Sequence, residues 1–289
     1  MNSLTAVLYR SRWVLAAAVS LAFLALFFVY PLGTMSVRSF TDFVSPTDSG
    51  FANYHWFFTS DAQLTILRRT FLTSVFVTVL CLAIGYPYAY LMTVVSTRWR
   101  MVLLAAVLMP FWTSLIVRTY SWIILLGDSG PIVKALHALG FGNVRLLGTT
   151  TAVTIGMAQI MLPFLILPLY SQLTQIDRAL LRAAEIHGAT PRTALRTVYL
   201  PLSLPGITAS CTIVFVLTLG FYFTPALLGS PQNSLLSQQI VSQVNSQLAF
   251  GRGGAMALAL LLITLLILAG GSLLGRPFTR ALGTKSEAH

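Results

Sequence analysis

Charged residues are scarce in this chain. Only 9% of its 289 residues are Asp, Glu, Lys or Arg, whereas 56% are hydrophobic. A soluble domain carries about 25% charged residues. This deficit excludes a surface that is wetted on all sides, so lipid must surround much of the chain. The net charge of +11 does not indicate nucleic-acid binding, because the basic residues fall in short clusters between apolar runs.

The sequence also lacks the familiar motifs of nucleotide-binding, metal-binding and catalytic sites. The chain has no Gly-x-x-x-x-Gly-Lys-Ser/Thr phosphate loop and no His-Glu-x-x-His metal site, and its four histidines are scattered. No nucleophile–base pair stands out. We therefore predict that the chain is not an enzyme and holds no metal or cofactor of its own. Cys81 and Cys211 lie inside apolar runs, which favours packing over a disulfide or metal ligation.

Six apolar runs reach or approach the ~17–25 residues that cross a bilayer as a helix. They predict an all-α membrane protein, a bundle of six transmembrane helices that forms a single domain over residues 1–289. The first run lacks a cleavage site of the Ala-x-Ala type, so we expect an uncleaved signal anchor. The runs are Val14–Tyr30, Phe71–Val95, Met101–Leu126, Ala152–Leu173, Leu204–Phe223 and Ala255–Leu274.

Prolines lie inside the second, third and fourth of these runs, at Pro87, Pro110, Pro163 and Pro168. Proline removes a backbone donor and kinks a helix, so we expect these spans to be interrupted. Two interpretations stay open. The breaks line a watery cavity, as in a transport bundle, or they reflect the ordinary kinked packing of membrane helices.

Lysines and arginines are divided unevenly between the two predicted sides. With a cytoplasmic N-terminus, eleven lie in inside segments and six in outside segments, and Arg118 lies within a span. Cytoplasmic loops carry the excess of positive charge. The distribution therefore predicts that both termini are cytoplasmic.

The longest predicted cytoplasmic loop, residues 171–201, contains signals for two short helices. Asp177 is a suitable N-cap for a helix over Arg178–His187, and Gly188 provides a left-handed residue to end it. The Thr-Pro pair at 190–191 starts a second helix. Small side chains and a tight turn suit docking into a groove of another protein. Alternatively, the segment is an amphipathic helix whose arginines contact lipid phosphates.

Within this loop the sequence reads Arg182-Ala183-Ala184, three residues, Gly188, nine residues, Val198, one residue and Leu200-Pro201. This arrangement resembles the EAA loop of ABC importer permeases, which reads Glu-Ala-Ala, three residues, Gly, nine residues, Ile, one residue and Leu-Pro. The spacing matches throughout. Arg replaces the Glu and Val replaces the Ile.

Other stretches resemble the spermidine/putrescine branch of these permeases, and together they extend over about residues 51–274. The similarity lies in several motifs that occur in the same order along the chain. They are Gly85–Tyr90, Pro110–Thr113, Val117–Trp122, Leu162–Phe164, Leu167–Leu169, Gly220–Pro225 and Leu227–Gly229.

The resemblance implies a fold, a function and partners. The fold is the bundle of a type I ABC importer permease, which passes a small solute, polyamine-like in this branch, through the bacterial inner membrane. A cytoplasmic ATPase dimer binds ATP and Mg and hydrolyses the ATP. A second permease subunit, a paralogue, and a periplasmic solute-binding protein complete the system.

In that family the loop docks on the ATPase and transmits its closure to the membrane helices. The resemblance implies this role for the matching residues here, and Glu185, about one turn from Arg182, is expected to supply the charge of the missing Glu. The coupling residues are Arg182, Ala183, Ala184, Glu185, Gly188, Leu200 and Pro201.

Arg118 is the one charge well inside a predicted span, which makes it a functional candidate. It either meets an anionic group of the solute, or it bonds carbonyls freed by Pro110 and holds the third span in place. The resemblance to permeases for cations favours the second interpretation. Aromatic faces for a cation, or for packing and interface anchoring, are present at Tyr120, Trp122, Phe221, Tyr222 and Phe223.

No Asp or Glu lies within a predicted span. Together with Arg118, this absence suits an alternative solute, namely an opine, a phosphonate or another anionic amino compound. A secondary transporter or channel is an alternative class, but its inverted repeats and intramembrane acids are not found. A membrane-embedded enzyme lacks a constellation of reactive residues.

Overall fold

The structure is a computed structural model that describes residues 18–142 and 144–283, with side chains described as far as residue 270. All regular structure in these two ranges is helical, which confirms the predicted all-α class. The helices are α1 (Ala18–Thr41), α2 (Ala52–Thr59), α3 (Asp61–Val94), α4 (Thr97–Trp112), α5 (Leu115–Leu126), α6 (Pro131–Ala138), α7 (Thr150–Leu173), α8 (Arg178–Ile186), α9 (Pro191–Leu219), α10 (Phe223–Leu228), α11 (Leu236–Val241) and α12 (Phe250–Gly283).

Five of the described helices are long and apolar enough to cross a membrane, namely α1, α3, α7, α9 and α12. The segments Thr97–Trp112 and Leu115–Ala138 pass the same test only together, and they are bent by 97° at the break between them. The six predicted spans are therefore present if this broken pair is taken as one span. The third predicted span, Met101–Leu126, is thus a broken helix rather than a continuous one.

Most predicted spans have different ends in the structure. The helix α3 begins at Asp61, well before Phe71, and α9 begins at Pro191 and ends before Gly220. The helix α7 lies within two residues of its prediction. Of the predicted first span, residues 14–17 lie outside the described residues. Polar residues at helix ends do not lower helix propensity much, so apolar runs mark the buried part of a helix better than its termini.

The expectation that prolines interrupt the spans holds for Pro110, which lies in the tight turn Met109–Trp112 just before the bend. It is wrong for Pro87, Pro163 and Pro168, which lie inside the continuous helices α3 and α7. A proline removes one helical hydrogen bond, and neighbouring helices hold such a helix together in a membrane bundle.

The described chain divides into two compact units. The first contains residues 18–63 and 239–262. Within it, the Asn53 side-chain amide donates to the carbonyls of Ser39 (3.0 Å) and Asp42 (2.9 Å). A side chain at Gly251 would overlap the Asp42 carbonyl, so the glycine permits close contact between α12 and the loop after α1. The prediction of one domain for the whole chain stays a prediction.

The second unit contains residues 64–238 and 263–283. Its core lies around α7, which packs against α3 and α9. Glycines permit this close packing. A Cβ at Gly85 would lie 2.6 Å from Leu165, and one at Gly206 would lie 2.7 Å from Gln172. This core positions the α8 segment, which follows α7 directly, and the bend between α4 and α5.

Candidate functional site

The helix α8 begins and ends where the sequence predicted, within one residue. The Asp177 side chain caps it by accepting a hydrogen bond from the Ala179 amide at 2.8 Å. At the other end, Gly188 has φ +87°, and its amide donates to the Glu185 carbonyl at 2.9 Å. The Ala189 amide donates to Ala184 at 3.0 Å. This pair of bonds is a Schellman motif, which requires the left-handed glycine.

The second predicted helix of this loop is not a separate short helix. Thr190 caps it by accepting from the Thr193 amide at 3.3 Å, and Pro191 occupies its first turn, as expected. The helix then continues without a break as α9, through the positions of Leu200 and Pro201. The prediction missed this continuity because it began the fifth span at Leu204, after a separate short helix, whereas one helix contains both segments.

The outer face of α8 is free of contacts with the described part of the chain. Arg182, Ala183 and Glu185 are exposed, and Ala184 is half-buried. The apolar side chains of Leu180 and Ile186 are 48% and 84% exposed. Neither Arg182 nor Glu185 forms an ion pair or side-chain hydrogen bond with any described residue. The face thus offers an apolar strip with one charge of each sign.

The inner face and the first residue attach α8 to the bundle. Leu181 packs against the core of the second unit, as does Ile176 just before the helix. The Arg178 guanidinium donates a hydrogen bond to the Thr93 carbonyl near the end of α3. Since α9 follows the turn at Gly188 directly, α8 is tied to the ends of two membrane-spanning helices.

At the bend of the third span, Arg118 connects the two sides of the break. Its Nη2 donates to the Pro110 carbonyl and to the Thr113 carbonyl, the latter at 3.0 Å. Thr113 and Ser114 have extended backbone, so helical hydrogen bonding stops there. These hydrogen bonds are of the kind that the bracing interpretation predicts. The carbonyls are those exposed at the break, rather than the carbonyl one turn before Pro110 that a proline frees directly.

Arg118 also lines an apolar cavity of about 230 Å³ between α4, α5, α7 and α9. Phe221 lines it too, so the structure brings these two predicted solute-path residues together. Tyr120 and Tyr222 are exposed and Trp122 packs on the core, and none of the three lines this cavity.

Two aromatic residues that line this cavity were not among the predicted solute-path residues. They are Phe111 and Phe164, whose rings meet edge to face with centroids 5.5 Å apart. Both directly follow a proline, Pro110 and Pro163, and these two Pro-Phe pairs are the signal that was available in the sequence. Within the described residues, no group of three or more His, Cys, Asp or Glu is placed to hold a metal ion.

Comparison with sequence families gives one match over most of the chain. Residues 64–280 match the family described as "Binding-protein-dependent transport system inner membrane component". The matched range contains α8 and the cavity around Arg118.

Curated proteins with similar sequences are transport permeases. The chain is 36% identical over 193 residues to the spermidine/putrescine transport system permease protein PotB of Haemophilus influenzae, covering 65% of this chain and 68% of that protein. It is 34% identical over 225 residues to the inner membrane ABC transporter permease protein YdcU of Escherichia coli, covering 72% of this chain and 71% of that protein.

A solved structure shares the fold. It is the crystal structure of a bacterial alginate ABC transporter in complex with an alginate pentasaccharide-bound periplasmic protein. The TM-score is 0.76, the superposition covers 96% of this chain and 99% of that chain, and the sequences are 19% identical. The predicted fold class, the helical bundle of a type I ABC importer permease, is confirmed.

Proposed function

This chain belongs to the family of binding-protein-dependent transport system inner membrane components, and on that premise we propose that its α8 segment couples a cytoplasmic ATPase to the membrane helices. The chain is the permease subunit of an ABC transporter and a multi-pass inner-membrane protein. The resemblance found in the sequence is confirmed.

The observation that carries the proposal is the way α8 is exposed and attached. Its outer face, with Arg182, Ala183 and Glu185, has no partner among the described residues, while its ends are joined to α3 and α9. A partner that grips the outer face and moves therefore displaces the ends of two spans. The small residues Ala184 and Gly188 permit a close approach and a tight turn. Leu200 and Pro201 lie farther along α9, the helix that receives the motion.

The partner that we propose is an ATPase dimer that binds ATP and Mg²⁺ and hydrolyses the ATP. The sequence supports a separate ATPase, because it contains no phosphate loop. We further propose a second, paralogous permease subunit and a periplasmic solute-binding protein. The description of the family, which includes dependence on a binding protein, supports the latter.

We propose that both termini are cytoplasmic. The excess of Lys and Arg in the segments that would then face inward supports this orientation, and it places α8 on the side of the ATPase. Labelling of a cysteine introduced at Glu185 from outside intact cells would contradict it, whereas labelling only after permeabilisation is expected.

The solute that we propose is a small polyamine-like cation. The name of the PotB relative supports it, and the rings of Phe111, Phe164 and Phe221 give the cavity faces that attract a cation. The positive charge of Arg118 remains, but its donation to backbone carbonyls at the bend gives this residue a bracing role that does not require an anionic solute.

An anionic amino compound, such as an opine or a phosphonate, is the second candidate. One observation favours it: Nε of Arg118 is buried and has no hydrogen-bond partner among the described residues, and Arg118 also lines the cavity. A donor in this position can meet a carboxylate or phosphonate oxygen.

Uptake by cells that carry the whole system tests both proposals. Labelled putrescine is supplied with an excess of spermidine or of an anionic amino compound, with and without the ATPase gene. We expect uptake that depends on the ATPase and is inhibited by spermidine. Uptake without the ATPase would contradict coupling. Competition by the anion alone would refute the polyamine proposal and make Arg118 a solute contact.

A further inference from the structure

A second cavity, of about 190 Å³, lies where α3 ends. Its walls come from the end of α3, the start of α4, the connection between α7 and α8, and the first turns of α9. The polar groups that line it are Thr93, Arg100, Thr174, Arg178 and Tyr199. Neither the coupling contact nor the solute path uses this cavity.

Both arginines are held at the C-terminal end of α3. Nε of Arg100 donates to the Met92 carbonyl at 3.2 Å, and Arg178 donates to the Thr93 carbonyl. A helix C-terminus attracts cations because its last carbonyls lack partners. Each guanidinium has five N–H donors. Within the described residues, each of these two side chains makes one hydrogen bond, to the carbonyl just named. Most donors of both groups remain available to a ligand.

No carboxylate from the described residues lines the cavity. Asp177, next to Arg178 in the sequence, is engaged as the N-cap of α8. Two positive charges thus line one cavity without a counter-ion from this part of the chain, and an anion between them would reduce their mutual repulsion.

The hydroxyl of Tyr199 adds a further donor. Tyr199 is 3% exposed, and its buried hydroxyl makes no hydrogen bond of ordinary geometry with the described residues. The Thr93 hydroxyl is close enough to interact with it, but Thr93 gives its own proton to the Tyr90 carbonyl at 2.7 Å. A buried hydroxyl without a partner costs free energy, and an anionic oxygen in the cavity removes that cost by accepting from it.

The depth of the cavity points to the source of the anion. It lies at the end of the apolar helix α3, and the adjacent Trp99 is 65% exposed between Arg98 and Arg100. Exposed tryptophans flanked by arginines mark the headgroup level of a bilayer, and basic pockets between membrane helices at that level bind anionic headgroups.

We propose that this cavity binds the phosphate group of an anionic phospholipid, held by Arg100, Arg178 and Tyr199. The site lies in the leaflet on the α8 side of the membrane, and it is independent of the solute. The phosphate joins the start of α4 to the start of α8 and to α9, beside the end of α3. Anionic lipid therefore stiffens the attachment of the coupling helix.

The test uses the complete transporter, purified and reconstituted in nanodiscs of phosphatidylcholine with increasing phosphatidylglycerol. Native mass spectrometry measures the phosphatidylglycerol that the permease retains. We expect Arg100→Gln and Arg178→Gln each to lower the apparent affinity roughly fivefold. Arg98→Gln is the matched control, because this neighbouring arginine does not line the cavity, and it should change retention little.

Tyr199→Phe keeps both charges and the end of α3, so it tests the site even if an arginine variant folds poorly. We expect a loss of roughly threefold. In a separate arm, pure phosphatidylcholine nanodiscs receive inorganic phosphate. Stabilisation of the transporter against unfolding by phosphate, without retention of phosphatidylglycerol, would show that the cavity binds free phosphate. It would overturn the assignment of the site to lipid.

Two other results would overturn the proposal. One is equal retention of phosphatidylglycerol by the wild type, the Arg100→Gln/Arg178→Gln variant and Tyr199→Phe. The other is unchanged lipid retention together with loss of the ATPase from the double variant, which would assign the arginines to an acidic group of that protein. Neither result depends on whether the solute is a polyamine, so failure here is distinguishable from failure of the proposed function.

Discussion

The short helices α6 and α8 end in the same way but are attached differently. Gly140 after α6 has φ +88° and Gly188 after α8 has φ +87°. In both turns the amides of the glycine and of the residue after it donate to carbonyls of the last helical turn. A Cβ placed on either glycine would have no other group within 4 Å. The local chemistry of the two turns is therefore the same.

The difference lies in what holds each helix. In α6, Val133 is 1% exposed and no side chain caps the N-terminus at Gly130. In α8 no side chain is fully buried, and the helix is held by the Asp177 cap and by the bond from Arg178 to α3. The buried side chain of Val133 holds α6 in place. Hydrogen bonds at the N-terminal end of α8 hold that helix and leave its outer face free for a partner.

The largest expected effect comes from proline at the two matched glycines. Proline requires φ near −65° and removes the amide that closes each turn, at a cost of about 3 kcal/mol. Gly188→Pro should lower transport about a hundredfold and prevent co-purification of the ATPase. Gly140→Pro should leave transport within about threefold of wild type. Uptake and pull-down assays on membrane-inserted protein provide the measurement.

Equal losses in Gly188→Pro and Gly140→Pro would break the comparison, because they would show that both turns serve transport alike. Normal transport in Gly188→Pro would contradict the coupling role of α8.

The next largest effect is expected from a large charged side chain on the exposed face of α8, compared with the same change on α6. Ala183 and Ala135 are both exposed alanines of short helices, and arginine is a good helix former. Ala183→Arg should lower the affinity for the ATPase roughly tenfold, because the added volume must be accommodated in a packed contact. Ala135→Arg should change it little. Titration of the purified ATPase against permease in nanodiscs measures both, and similar affinities would argue against docking at Ala183.

Removal of the side-chain cap should loosen α8 alone. Asp177→Ala costs about 1 kcal/mol of helix stability, so amide protection in α8 should fall roughly fivefold. Asp177→Asn should retain it, because asparagine caps equally well. Protection of α6 should not change in either variant. Hydrogen exchange read by mass spectrometry tests this, and loss of protection in both helices would contradict independent attachment.

The smallest effect is expected from restoring the family's glutamate. Arg182 is exposed and makes no ion pair with described residues, and an exposed charge contributes little. Arg182→Glu should change transport by no more than about twofold, with Arg182→Gln as its neutral control. A much larger gain from Glu would show that a specific ionic contact with the ATPase is weakened in this chain.

The α8 segment could be predicted from sequence because its signals act within a few residues. Asp177, Gly188 and the Thr-Pro pair at 190–191 each satisfy backbone groups of their own turn, so residue type and spacing suffice. The continuity of that second helix into α9 was missed, since it depends on neighbours that hold the helix past Pro201.

The third span shows the opposite case. Its apolar run and Pro110 predicted an interrupted span over Met101–Leu126, but they did not predict that the chain turns by 97° between Trp112 and Leu115. Composition measures the preference for lipid and not the direction of the chain. Pro110 was visible, but so were Pro87 and Pro163, which lie in continuous helices. Contacts with other helices decide which proline breaks its span.

The sequence by itself determined the membrane setting, the all-α class, the family and both ends of α8, because hydropathy, capping and motif spacing are local properties. Tertiary structure alone decided that Phe221 shares a cavity with Arg118 while Tyr222 does not, and that Arg100 and Arg178 meet at the end of α3. The residues that line each cavity are far apart in the sequence, and the packing of the helices around α7 sets the distances between them.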